Sequence, residues 1–189
     1  MRPAVHCRCT AEEYLALERS TEQRHEFLAG EVFAMGGASE RHTLIVANVV
    51  GELRQMLKGR PCKTYPTDMR VRVAPSGLYT YPDIVVVCGV ARFDDEQRDT
   101  LLNPTLLIEV LSPSTESYDR GDKFEHYRKL DSLLEYVLIA QDRVHVEQFV
   151  RQADDQWLLS ESDDRAALLR LPSIEVALPV AELYDKVDV

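Results

Sequence analysis

From Leu106 to Tyr127 the chain reads LLIEVLSPSTESYDRGDKFEHY, and no other stretch constrains the fold as tightly. It opens on an apolar run with a single carboxylate, Glu109, and turns at Ser112-Pro113-Ser114. A polar helix follows from Asp119 to about Leu130, in which Asp119, Lys123 and Tyr127 recur every fourth residue and share a face. Another apolar strand, Leu134 to Ile139, completes the strand, helix, strand order of a βαβ crossover. A carboxylate on so apolar a strand needs a partner, because burying it alone shifts its pKa or destabilises the fold. The candidates are a metal ion and Lys123.

The rest of the chain supplies a sheet for this unit to join. Asp83-Ile84-Val85-Val86-Val87-Cys88 is too β-branched and apolar for a half-exposed strand and reads as a central one that starts on an aspartate. Upstream, Thr10-Ala11-Glu12-Glu13 has capping-box spacing and starts a helix to about Glu18. RHEFLAGEVFAM alternates around Ala29-Gly30 as a hairpin with Glu26 and Glu31 on its arms. Ser39 caps a helix to about Lys58, ended by Gly59, with a core stripe Val46, Val50, Leu53, Leu57 that His42 extends by one turn. Alternation at Met69, Val71 and Val73 puts Arg70 and Arg72 on one face of a strand. Downstream, Val144 to Val150 and Trp157 to Glu161 flank a turn at Ala153-Asp154-Asp155, and Ile174 to Leu178 precedes a helical turn near Val180 to Tyr184. The expected class is α/β (mixed α+β), a mixed sheet with helices against it, in a single domain over residues 1–189.

Bulk properties exclude several classes. At 189 residues the chain is long enough to need no staples. No apolar run approaches membrane-span length and the N-terminus has no signal-like core, so a cytoplasmic protein without a membrane partner is expected. Cys7, Cys9, Cys62 and Cys88 form no C-x-x-C pair, so reduced thiols are expected, and His6, Cys7 and Cys9 make only half a zinc site. The net charge of −10 opposes non-specific phosphate binding, although residues 41–72 carry seven basic groups against two acidic ones. That window reads either as a nucleic-acid-facing side or as a solvated face.

Asp83 and Glu109 on adjacent strands would converge, and paired carboxylates suit Mg2+, a hard cation with oxygen ligands. Such an ion polarises a phosphoryl oxygen, and Lys123 would orient water or offset charge on the phosphate. The segments YPDIVVV, LIEVLSPST and Asp119-x-x-x-Lys123-x-x-x-Tyr127, with HEFLAGEVFAM and ERHTLI upstream, resemble the Uma-type family of restriction endonucleases in the PD-(D/E)xK superfamily. The resemblance covers nearly the whole chain. It implies a restriction-endonuclease-like fold, a homodimer, and DNA cleavage with Mg2+, or Mn2+ in its place, with RNA an open variant. Asp83 matches the motif aspartate and Glu109 the second acid, both as metal ligands. The superfamily's lysine position is Leu111 here, and Lys123 on the following helix takes its role. Tyr127 matches the family's tyrosine as a support, and Glu26 is a further candidate acid.

Blander readings stand beside these. Asp83 could cap a turn, Glu109 could pair with Arg70 or Arg72, and Lys123 with Asp119 on a solvated helix face. His42 could be a core histidine and Glu26 an exposed hairpin residue. The Ser112 to Thr115 hydroxyls would cap helix amides rather than act as nucleophiles. The displaced lysine and the negative charge also leave a silent nuclease fold, serving as a binding or assembly module.

Overall fold

The computed structural model describes Ala4–Val5 and residues 8–189, so the His6–Cys7 part of the supposed zinc half-site lies outside the described residues. In chain order the elements are β1 (Ala4–Val5), α1 (Ala11–Ser20), β2 (His25–Leu28), β3 (Glu31–Ala34), α2 (Glu40–Met56), β4 (Cys62–Pro66), β5 (Arg70–Val73), β6 (Leu78–Thr80), β7 (Ile84–Cys88), β8 (Thr100–Leu101) and β9 (Leu106–Leu111). There follow α3 (Glu116–Tyr118), a π-helical turn (Asp119–Lys123), α4 (Phe124–Tyr127), β10 (Glu135–Ala140), β11 (Val146–Arg151), β12 (Trp157–Ser162), β13 (Leu168–Leu171), β14 (Val176–Pro179) and α5 (Val180–Leu183). Among the described residues no helix is long and apolar enough to cross a membrane.

Local chemistry explains the early elements. Thr10 and Glu13 close the reciprocal capping box of α1, and the Ser39 side chain accepts from the His42 amide at the start of α2. Ala29 and Gly30 both take positive φ, as a two-residue hairpin loop requires, and so bring β2 against β3.

Two six-stranded mixed sheets form where the sequence suggested one. Their orders are β1-β3-β2-β6-β5-β8 and β12-β11-β10-β9-β7-β4, with β13-β14 as a separate pair. In the second sheet β9 and β10 run parallel, joined by the helical crossover, while β7 lies antiparallel to β9. Alternate residues of these strands enter different cores. Ile84, Val86, Ile108 and Val110 pack with Ile45, Val49, Leu53 and Leu57 of the α2 side. Val85, Val87, Leu107 and Leu111 pack with Val71, Val73, Phe124 and Tyr127 on the opposite side.

The buried stripe of α2 is therefore Ile45, Val49, Leu53 and Leu57, with Val46 and Val50 only half-buried at its margin. The stripe turns because both rows are apolar and only the seating on the sheet chooses between them. A second correction concerns the thiols. β4 pairs antiparallel with β7 so that Cys62 faces Cys88 directly, and the two form a disulfide. Their sequence separation of 26 residues hid this pairing.

Candidate active site

Parity along β9 sends Glu109 to the side covered by the crossover helices and the first sheet, together with Leu107 and Leu111. Asp83 stands one residue ahead of β7. Its amide donates to Glu109 Oε2 at 3.3 Å, and its Oδ2 accepts from the Val110 amide at 2.8 Å. The strand register thus ties the two acids together. From the first turn of α2, His42 Nε2 lies 3.1 Å from Asp83 Oδ2. The side chains of Asp83 and His42 are 15% and 14% exposed, whereas Glu109 and Lys123 are each 3% exposed, so the cluster meets solvent on its Asp83 side.

Lys123 enters from the crossover. The wider π turn, a device common where a helix carries function, delivers both Asp119 and Lys123 inward. Lys123 Nζ lies 2.8 Å from Glu109 Oε1, 3.4 Å from Asp119 Oδ1 and 3.6 Å from Glu26 Oε1. Tyr127 donates its hydroxyl to Glu109 Oε1 at 2.8 Å, and Thr80 donates to Glu26 Oε1 at 2.5 Å.

Several alternatives are settled by these contacts. Glu26 is buried, not an exposed hairpin residue. Asp119 and Lys123 are buried, not on a solvated face. Arg70 and Arg72 pair with Asp99 and Asp94 rather than with Glu109. Leu111, at the usual lysine position, is apolar core. The Ser112 hydroxyl contacts Ser114 and Thr115, while the Ser112 carbonyl, not a side chain, accepts from the Thr115 and Glu116 amides. Asp119 as a neighbour of the acids was visible only as a shared helical face, and Thr80 carried no sequence signal.

Burial pushes the Glu109 carboxyl up to about 8, against the pull of Lys123 and with the support of the Asp83 and Asp119 charges. Burial also opposes the Lys123 ammonium, but Glu109, then Asp119 and Glu26, outweigh it and hold the lysine well above its ordinary range. Burial and then Glu109 raise the Tyr127 hydroxyl far above its usual value, so it remains a donor. Burial thus drives the Glu109 rise, and the neighbouring acids drive that of Lys123. Asp119 Oδ1 is buried with no hydrogen bond beyond its ion pair with Lys123, and the acids present carboxylate oxygens, which fit a hard divalent cation.

The chain is similar to known proteins along nearly all its length. The Uma2 family model, described as "Putative restriction endonuclease", matches residues 11–181. In Synechocystis sp. PCC 6803, the uncharacterized protein sll1609 is 37% identical over 152 residues, 80% of this chain and 86% of that protein. A second protein there, slr1290, also uncharacterized, is 33% identical over 175 residues, 92% of this chain and 90% of its own. A crystal structure titled as a "putative nuclease" from Anabaena variabilis superposes with a TM-score of 0.75, covering 94% of this chain and 98% of that one at 22% identity. The fold they share is restriction-endonuclease-like, mixed sheets flanked by helices.

Proposed function

Because the chain belongs to the Uma2 family, we propose that it is a Mg2+-dependent endonuclease that hydrolyses phosphodiester bonds in DNA, with Mn2+ able to substitute. The observation that carries this reading is the meeting of Asp83 and Lys123 at Glu109, whose carboxylate lies in hydrogen-bond reach of the Asp83 amide and in ion-pair reach of Lys123.

Asp83 and Glu109 would hold the ion, Asp83 from the solvent side and Glu109 from within. When bound, the ion supplies Lewis-acid polarisation of a phosphoryl oxygen and a more acidic water. Lys123 stays protonated, so it serves as a donor to charge developing on the phosphate and not as a base. Tyr127 and Asp119 hold Glu109 and Lys123 in place, and His42 orients Asp83. Glu26 shares the lysine from the hairpin side.

Of the basic window, Arg60, Arg70 and Arg72 are spent in ion pairs with Glu175, Asp99 and Asp94. Arg41, Arg54, Lys58 and Lys63 are exposed and available to a phosphate backbone. The working unit of this reading is a homodimer.

Incubation of supercoiled plasmid with purified protein tests the reading. Nicking that needs Mg2+ or Mn2+ and disappears in Asp83→Asn and Glu109→Gln is expected. Equal cleavage by Asp83→Asn would sink it, as contamination, and structured RNA run in parallel decides the substrate. A folded wild-type protein that cleaves neither under any divalent ion is instead the binding or assembly module, a reading that the enclosure of Lys123 by three carboxylates favours.

A further inference from the structure

A second group of ligating side chains lies at the β10–β11 turn and along β11 and β12. Glu147 on β11 stands directly opposite Glu161 on β12 in the antiparallel register. Like charges so placed repel, and a cation between them would remove the cost. His145 lies two residues before Glu147, on the same side of the strand. Its Nε2 is 3.2 Å from Glu147 Oε1 and 3.8 Å from Glu161 Oε1, and its Nδ1 is 2.5 Å from Asp163 Oδ1.

We propose that His145, Glu147 and Glu161 form a binding site for a zinc-class divalent ion, separate from the carboxylates at Asp83 and Glu109. The three ligand atoms all lie within 4.8 Å of one another. A tetrahedral ion bound at ordinary Zn–N and Zn–O lengths needs ligand atoms roughly 3.3 Å apart, and the His145 distances of 3.2 and 3.8 Å bracket that spacing.

The surroundings complete the design. Asp163 accepts from Nδ1, which leaves Nε2 as the lone-pair atom facing the two glutamates, the arrangement by which a carboxylate orients a metal-binding histidine. Arg120 places Nε and Nη2 on one oxygen of Glu147, at 2.8 and 2.5 Å. That oxygen is Oε1, the one beside His145 Nε2, so Arg120 fixes Glu147 next to the imidazole, and the ion takes a remaining lone pair of Oε1 or the second oxygen, Oε2. Arg120 also pairs with Glu116, so Glu116, Glu147, Glu161 and Asp163 surround one arginine and one histidine. That excess of negative charge suits a divalent ion, and the imidazole selects a transition metal over Mg2+.

Calorimetric titration of Zn2+ into EDTA-stripped Asp83→Asn protein tests the site apart from the proposed catalytic one. One equivalent is expected, not displaced by millimolar Mg2+, with affinity at least about 100-fold weaker in His145→Gln and in Glu161→Gln. Glu161 is exposed, so its variant should fold, and a melting curve checks both. X-ray absorption of the bound ion should show nitrogen and oxygen neighbours only. Absence of zinc binding, unchanged binding in the two variants, equal competition by Mg2+, or sulfur in the coordination shell would each overturn the proposal.

Discussion

Among the described residues, two buried clusters of charged side chains are balanced differently. Around α1, Glu18 accepts from the His25 amide and the Tyr81 hydroxyl and touches His25 Nδ1. Arg70 in turn donates to Tyr81 and Thr100 and pairs with Asp99, which Arg19 also grips. Each acid there has its own cation or donors. In the other cluster Glu26, Glu109 and Asp119 all pair with Lys123, and Asp83 pairs with His42 while accepting from the Val110 amide. A satisfied network fixes a fold, whereas a buried surplus of negative charge costs stability and persists where a ligand will compensate it.

The contrast can be broken at its strongest point by catalysis. Asp83→Asn should lower metal-dependent plasmid nicking at least about 100-fold, the scale of losing one group that stabilises a transition state, while Arg70→Met leaves the rate per folded molecule unchanged. Equal losses in a nicking assay would erase the distinction between the clusters.

Stability comes next. Lys123→Met strands buried carboxylates and should cost about 3–5 kcal/mol in urea unfolding. Arg70→Met should cost less, about 2 kcal/mol, because Asp99 is part-exposed and keeps Arg19. Added Mg2+ should recover part of the first loss and none of the second. Tyr127→Phe, which removes one donor from Glu109, should cost about 1–2 kcal/mol by the same measurement.

The smallest effects lie on opposite limbs of the pH–stability curve of the metal-free protein. Glu109 has a folded pKa raised to about 8, so its contribution is full below the ordinary carboxylate range and is lost as pH rises through about 8. Glu109→Gln should flatten the fall in stability between the ordinary carboxylate range and about pH 8. Asp99 is held below the ordinary range, first by its hydrogen bond from Arg19, with burial opposing and Arg70 assisting. Its contribution is present above the unfolded pKa and lost as pH falls through the folded one, so Asp99→Asn should flatten the acid limb. Thermal melts in EDTA across pH test both slopes.

The order of local elements was legible because it rests on near-neighbour chemistry. Capping residues, the Ala29-Gly30 loop, β-branched runs and the strand, helix, strand order around Glu109 act within a few residues of one another. Asp83, Glu109, Lys123, Tyr127, Glu26 and His42 were singled out for carboxylates on apolar strands, a four-residue spacing and a family resemblance. In the structure they lie in one chain of contacts.

What the sequence determined by itself was which residues had to be inside, and that acids among them would need company. Only the tertiary structure decided the company. Whether Ile45 or Val46 faces the core, that Cys62 meets Cys88, that Lys123 rather than an arginine answers Glu109, and that Glu147 confronts Glu161 all follow from register between distant strands. Register has a period of two residues and is set by the packing of both faces of a sheet at once, a sum over the whole molecule that no local window contains.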